Sequence, residues 1–392
     1  MSQEPQSGLL LLGVGGGGCR LAASVLSAYG SGMRALGVDT DALSNREASA
    51  GGMTCLLFGG SLLAGHGTGG DAIKGRMVAQ EDMRNLTPHL QGVRTVVVLS
   101  CLGAGTGGGA TPEIIKTLHD MGIATVCFVT LPFVFEGDAR RKAAERVLPM
   151  IEENADSMVI IPLDELYHDA GEGVLTLAIQ VAEGLVASGV TLLWRLLSAP
   201  GFIRLDAERL HAMVLKGGNA RFGFSTAEGP SGRGERAVAA LRDSCLLRSG
   251  DALAKANALL VGILAGSDLR LAEVGEVMST LRSMCKSDCI VEMGTVLDAR
   301  FDGRIELVAL AFESWTAAAH PEARRDSPPL QEPPVAEAFP IQSGSKKSRA
   351  KSNKLSLTAS GRGKFQNVEP TIHAGQDLDV PTFLRRGITL ER

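Results

Sequence analysis

Between residues 9 and 163 the chain repeats one pattern: a short apolar run, a polar or glycine-bearing turn, then a stretch of helical periodicity. Apolar runs fall at 9–14 (LLLLGV), 33–38, 55–58, 95–100 (TVVVLS), 124–131 and 158–163. Helical periodicity fills roughly 18–30, 72–85, 112–121 and 139–154. Strands that are apolar at nearly every position are covered on both faces, and helical crossovers between them imply parallel neighbours. The pattern predicts an α/β fold with a doubly wound parallel sheet, which binds ligands beyond the carboxyl ends of its strands.

The stretch 173–201 is apolar around most of its circumference and ends at a Pro-Gly pair. A helix of that length, about 40 Å at 1.5 Å per residue, must be buried between two masses of protein, and so reads as a central helix joining two domains. A second, α+β domain is expected over 202–315. Its helices are predicted at 206–216, 233–244 and 270–286, and its strands at 219–226, 257–266, 290–298 and 304–313. The last three strands suit a mostly antiparallel sheet with helices on one face. The expected divisions are a disordered 1–8, a first α/β domain over 9–172, the central helix 173–201 and the second domain 202–315. Beyond it, 316–376 is rich in Pro, Ser, Lys, Arg and Glu and reads as a disordered linker. Its basic cluster (Lys346, Lys347, Arg349, Lys351, Lys354) suits a solvated linker, with weak attraction to anionic surfaces as the other reading. Apolar pattern returns at 377–392, which reads either as a partner-binding peptide or as a frayed end.

Composition narrows the class. Of 392 residues, 45% are hydrophobic and 21% charged, as expected for a soluble protein of two domains. A net charge of −4 with a pI near 6.0 gives no reason to expect nucleic-acid binding. The first residues, MSQEPQSG, lack the basic and apolar regions of a secretory leader, and the run 123–135 is too short to span a bilayer, so a cytoplasmic protein without membrane insertion is expected. Seven cysteines include no C-x-x-C pair. Cys285 and Cys289 could suggest a metal site, but with no accompanying His or second Cys pair they read as small buried hydrophobes; no metal ligand set is assigned.

The glycines carry the chemistry. Glycine within regular structure costs roughly 0.5–1 kcal/mol relative to alanine, yet GVGGGG (13–18) and GAGTGGG (103–109) both stand between a strand and a helix. There they let backbone N–H groups approach a phosphate at the positive end of the helix dipole. Alone, the first loop with Asp39 at the end of the second strand also suits a ribose-binding acid in an NAD(P) oxidoreductase. A second long loop on the same edge, and a third cluster GHGTGG (65–70), favour a polyphosphate gripped from several sides.

These motifs, in this order, resemble the FtsZ branch of the tubulin/FtsZ GTPases. GVGGGG resembles the family's first phosphate loop, VDTDA (38–42) its NTDA turn, and GAGTGGGATP (103–112) its GGGTGTGAAP loop. PFVFEG with Arg140 is similar to PFxFEGxxR, and IIPLDEL (160–166) to IPNDKL. AGSDLRL (265–271) is similar to AGxDLRL, GTVLD (294–298) to GTSLD, and VPTFLRR (380–386) to IPAFLRR.

The resemblance implies GTP or GDP, with Mg²⁺, on Gly16, Gly17, Gly18, Cys19 and Arg20 and on Gly103, Gly105, Thr106, Gly107 and Gly108. It implies nucleotide contacts from Glu136 and Arg140, which also suit surface charges at a helix start, and from Glu183 and Gly184, where the family has Asn-Asp. It also implies head-to-tail filaments that hydrolyse GTP at subunit interfaces during bacterial division, at the inner face of the membrane. The catalytic loop PGFIRLDAERL (200–210) keeps Asp206, with Glu208 adjacent, but has Arg209 at the position of the second acid. Losing such a group typically costs roughly 10²–10⁴-fold, so slow hydrolysis is expected, or a non-hydrolysing homologue that co-assembles with a partner. Leu163 replaces the Asn of IPND, and Arg20, in place of Asn, brings a positive charge beside the phosphates. Val380, Pro381, Phe383, Leu384, Arg385 and Arg386 correspond to the peptide that binds division proteins or a membrane anchor.

Overall fold

A computed structural model of the chain describes residues 8–30, 32–170, 175–198 and 217–314, and two short strands at 372–373 and 376–377. The chain forms two compact units, Met1–Arg324 and Arg325–Arg392. In the second, Ile372–His373 pairs antiparallel with Gln376–Asp377.

In the first unit, β1 (Leu9–Val14), β2 (Ala35–Asp39), β3 (Thr54–Leu57), β4 (Thr95–Cys101), β5 (Ala124–Leu131) and β6 (Ser157–Pro162) follow the predicted apolar runs. With β7 (Gly218–Glu228), β8 (Ala258–Ala265), β9 (Ile290–Leu297) and β10 (Arg304–Phe312) they make one ten-stranded sheet. Its order is β3-β2-β1-β4-β5-β6-β7-β10-β8-β9. Neighbours from β3 to β7 are parallel. β10 lies antiparallel to β7 and β8, whereas β8 and β9 are parallel. The expected antiparallel set is therefore mixed, because the helix between β8 and β9 is a crossover, which returns the chain in the same direction.

The helices are α1 (Gly15–Tyr29), α2 (Ala42–Ala50), α3 (Gly60–Leu63), α4 (Ala72–Leu86), α5 (Gly105–Asp120) and α6 (Asp138–Glu152), then α7 (Leu163–Ala170) and α8 (Leu175–Ser198). The second half adds α9 (Arg233–Asp243), α10 (Asp251–Lys255) and α11 (Leu271–Met284). On one face of the first half, Leu10, Leu12, Val96 and Val98 pack with Ala79, Ile114, Ile115 and Ile151 of α4 to α6. On the other, Leu9, Leu11, Val97 and Leu99 pack with Ala22 and Val25 of α1 and Val190 and Trp194 of α8. Alternation along β8 repeats this: Leu260 and Leu264 face the α8 cluster, and Leu259, Val261 and Ile263 face α9 and α11. The second half is thus covered on both faces, with α8 shared between the halves. Ile179–Ser198 is long and apolar enough to cross a membrane, yet over half of it is buried inside the protein, as a core helix requires.

Two helices begin earlier than their periodicity suggests. α1 starts at Gly15 and α5 at Gly105, so the glycines are their first turns, and Pro112 lies inside α5. Close backbone contact explains both starts. Gly15, at φ +73°, would set a Cβ 2.9 Å from the Gly107 amide nitrogen, and a Cβ on Gly75 of α4 would lie 2.3 Å from the Gly105 carbonyl oxygen. Tertiary packing here outweighs the intrinsic cost of helical glycine.

Charge pins the second half. Arg233, 2% exposed, donates to both oxygens of Glu273 at 2.9 and 3.1 Å and to Asp268 at 2.7 Å. Asp298, beyond β9, accepts from Arg300 and, at 3.0 Å, from Arg195 of α8.

Candidate nucleotide site at the carboxyl edge of the sheet

β1 and β4 are neighbours in the sheet, so α1 and α5 leave the same edge side by side. The first four N–H groups of any helix lack intrahelical partners. α2 and α4 have these served by acids: the Asp41 carboxylate accepts from Leu43 (2.8 Å) and Ser44 (3.0 Å), and Asp71 from Ile73 (2.9 Å) and Lys74 (3.4 Å). α1 and α5 have none. Their caps are Val14 and Ala104, neither making a side-chain hydrogen bond, and neither first turn holds an acid. Two uncapped helix starts, each carrying a partial positive charge, converge on one spot.

Beneath them lies a cluster of oxygens. Asp39, 3% exposed, accepts from the Thr40 amide at 2.8 Å and also takes hydrogen bonds from Ser44 and Thr106. Burial pushes its carboxyl above the ordinary value, and those three bonds oppose the rise. The Thr40 and Thr106 hydroxyls are 2.7 Å apart. So enclosed, Asp39 faces α1 and α5 from below rather than standing free for a ribose, which removes the sequence argument for a dinucleotide enzyme.

Beside the helix starts opens a cavity of about 380 Å³, bounded by Gly17, the β4–α5 turn, the PFVFE segment and the first half of α8. That size falls in the range of small-molecule sites. Phe133 and Phe135 stack at 4.8 Å between centroids, and Phe135 is 59% exposed, so its ring is open to a flat ligand. Four charged side chains converge on the cavity in two pairs. Arg140 pairs with Glu136 at 2.5 Å, and the other Glu136 oxygen accepts from the Phe133 amide at 3.0 Å. Arg20 of α1 donates to Glu183 of α8 at 2.6 Å, across 163 residues of sequence. Partial burial would lower the Arg20 guanidinium, but the Glu183 carboxylate raises it above the ordinary value, so it stays charged. The Arg20 side chain is 63% exposed. Such a pair contributes about 0–1 kcal/mol to stability, leaving both groups free to re-form around a ligand.

The structure redistributes the residues named from sequence. Gly16 and Gly17 lie in the first turn of α1, and Gly105, Thr106 and Gly107 in that of α5, where amides are unpaired. The Gly108 amide donates to the Ala104 carbonyl at 3.1 Å, and helix geometry likewise commits that of Gly18. Gly103 forms the turn before α5 at φ +90°. The Cys19 thiol is buried under α1, donating to the Gly13 carbonyl at 3.5 Å, away from the cavity. Gly184 is on the outer side of α8, in a shallow cleft against α1. Arg20, expected beside the phosphates, and Glu183, expected to contact the nucleotide, are partners of one another. Thr130, Ile179 and Val186 also line the cavity; they carry no motif, and only the packing of α8 on the sheet assembles them. Asp206, Glu208, Arg209 and the peptide from Val380 to Arg386 lie outside the described residues.

Comparison with known proteins identifies the family. Residues 9–171 match the GTPase domain of the Tubulin/FtsZ family, and 218–313 the C-terminal domain of the FtsZ family. The cell division protein FtsZ of Pseudomonas putida is 29% identical over 401 residues, with 97% of each chain covered. That of Pseudomonas aeruginosa is 31% identical over 302 residues, covering 77% of this chain and 76% of its own. An FtsZ dimer from M. jannaschii superposes with a TM-score of 0.73 at 27% identity, over 79% of this chain and 89% of its own. The chain belongs to the tubulin/FtsZ family of GTPases.

Proposed function

We propose that the protein binds GTP with its phosphates on the first turns of α1 and α5 and its base in the cavity under α8, and that it assembles head-to-tail into cell-division filaments. The observation that carries this reading is the pair of uncapped helix starts on adjacent strands, beside two capped ones. Residue types support it: unpaired amides for phosphate oxygens, the Phe135 ring for the base, and Arg140 with Glu136 for the sugar. Mg²⁺ fits the oxygens beneath α1, where the single carboxylate of Asp39 with the Thr40 and Thr106 hydroxyls suits an ion bound mainly through phosphates. When bound, the ion would neutralise phosphate charge.

Hydrolysis is assigned to the interface between subunits, with Asp206 of the next subunit polarising water. It is slow because Arg209 stands where a second acid is expected. The 377–392 peptide holds division proteins or a membrane anchor at the inner face of the membrane. Light scattering with GTP, GDP and no nucleotide tests assembly: a rise with GTP alone is expected, and identical traces would overturn it. Arg209 also favours a second reading, a homologue that co-assembles without hydrolysing. Phosphate release separates the two, since Asp206→Ala lowers the rate only if the wild type hydrolyses.

A further inference from the structure

The cavity under α8 is unevenly polar. Ile179, Ala182, Glu183 and Val186 line it at the i, i+3, i+4 and i+7 spacing of one helix face. Gly184 lies about 100° round the helix from Glu183, and with Ala187 and Ser188 it lines the neighbouring cleft against α1 instead. Among the described residues that line the cavity from α1 and α8, Arg20 and Glu183 alone carry hydrogen-bonding side chains. The two are not needed to hold these helices together. Val25 of α1 shares an apolar cluster with Val190 and Trp194 of α8, and Tyr29 meets the Trp194 ring edge-on at 6.4 Å between centroids.

The pair is joined by one bond. Arg20 Nε donates to Glu183 Oε1 at 2.6 Å, and among the described residues no other hydrogen bond engages the Arg20 Nη groups or Glu183 Oε2. Spare donors therefore stand beside a spare acceptor at the cavity wall, since an arginine only donates and an ionised glutamate only accepts. Guanine presents the complement along one edge: O6 and N7 accept, while N1–H and N2–H₂ donate. Adenine has an amino donor in place of O6 and a bare acceptor at N1, which sets donor against donor and acceptor against acceptor. We propose that Arg20 and Glu183 together select the base, Arg20 donating to O6 and Glu183 accepting from N1–H and N2–H₂ of a guanine stacked on Phe135. This rests on the cavity being the base site, as proposed above. Arg20 then serves the base rather than the phosphates, and Gly184, which has no side chain, contributes nothing to the choice.

The test is competition with a fluorescent GTP analogue on the full chain, using GTP, ITP, XTP and ATP as competitors. ITP keeps O6 and N1–H and lacks only the N2 amino group, so it should bind about tenfold more weakly than GTP. ATP is mismatched at both positions, and XTP sets its O2 against the carboxylate; each should bind about 100-fold more weakly. Glu183→Gln keeps the size of the side chain and an acceptor for Arg20, but turns one acceptor into an amide donor that suits the O2 of XTP. It should lower GTP affinity about tenfold and raise XTP affinity about tenfold. Arg20→Met should cost GTP and ITP about tenfold each and leave ATP as it was. A merely structural or long-range charge effect would move all four competitors together. An unchanged ratio of GTP to XTP affinity in Glu183→Gln, with GTP still bound, would overturn the proposal and leave the phosphate turns standing. Failure of the wild type to bind any of the four would overturn the nucleotide reading itself, and this proposal with it.

Discussion

The starts of α2 and α4 differ from those of α1 and α5 in one respect that outweighs their shared position on the sheet. Asp41 and Asp71 consume the free amides of the first pair, whereas Val14 and Ala104 leave those of the second open. At α2 and α4 the helix's own cap side chain satisfies the first turn, as structure alone favours. A helix that binds an anion cannot do this, because a carboxylate at the cap would occupy the ligand's place and repel it. The uncapped pair is therefore less stable in isolation than it could be.

The sharpest way to break this comparison is to make α5 resemble α4. Ala104 is exposed, so Ala104→Asp fits without a clash. It should gain about 0.5–2 kcal/mol in thermal unfolding while weakening nucleotide binding by about 100-fold, about 2.7 kcal/mol, measured with a fluorescent GTP analogue. Unchanged affinity would place the phosphates elsewhere.

A charge remote from the site provides the contrast. Asp298 is held well below the usual carboxylate range, first by Arg300 and also by Arg195, against a cost of burial. A depressed carboxyl contributes stability that is full above its unfolded value near 4 and fades as pH falls towards its folded value. Asp298→Ala should cost about 1.5–3 kcal/mol near neutrality, with the gap from wild type closing in denaturation curves below about pH 4. Nucleotide affinity should stay as it was.

Glu183→Ala frees Arg20 and removes an acceptor from the cavity. A loss of about tenfold in GTP affinity is expected, with discrimination against ATP narrowed and stability changed by less than about 1 kcal/mol. Competition titrations and melting curves measure both. Asp71→Ala completes the set from the capped side, costing about 1 kcal/mol of stability with no effect on binding.

How far the chain could be read differs from element to element. Strands β1, β4 and β5 were legible because burial on both faces demands continuous apolar runs, a local property. The starts of α1 and α5 were not, since helical glycine is unfavourable until another backbone lies too close for any side chain, as Gly75 and Gly105 illustrate. Motif order located both glycine turns, but which amides stay free depended on those helix starts.

By itself, then, the amino-acid order determined the alternation of strand and helix, the central helix, the two glycine turns and the family, because each rests on local periodicity or short motifs. Tertiary structure alone decided that the sheet is continuous and mixed at its far end, that Arg20 meets Glu183, and that α1 and α5 start side by side without caps. Those facts rest on contacts between segments far apart in the chain, and no local pattern encodes a distance through space.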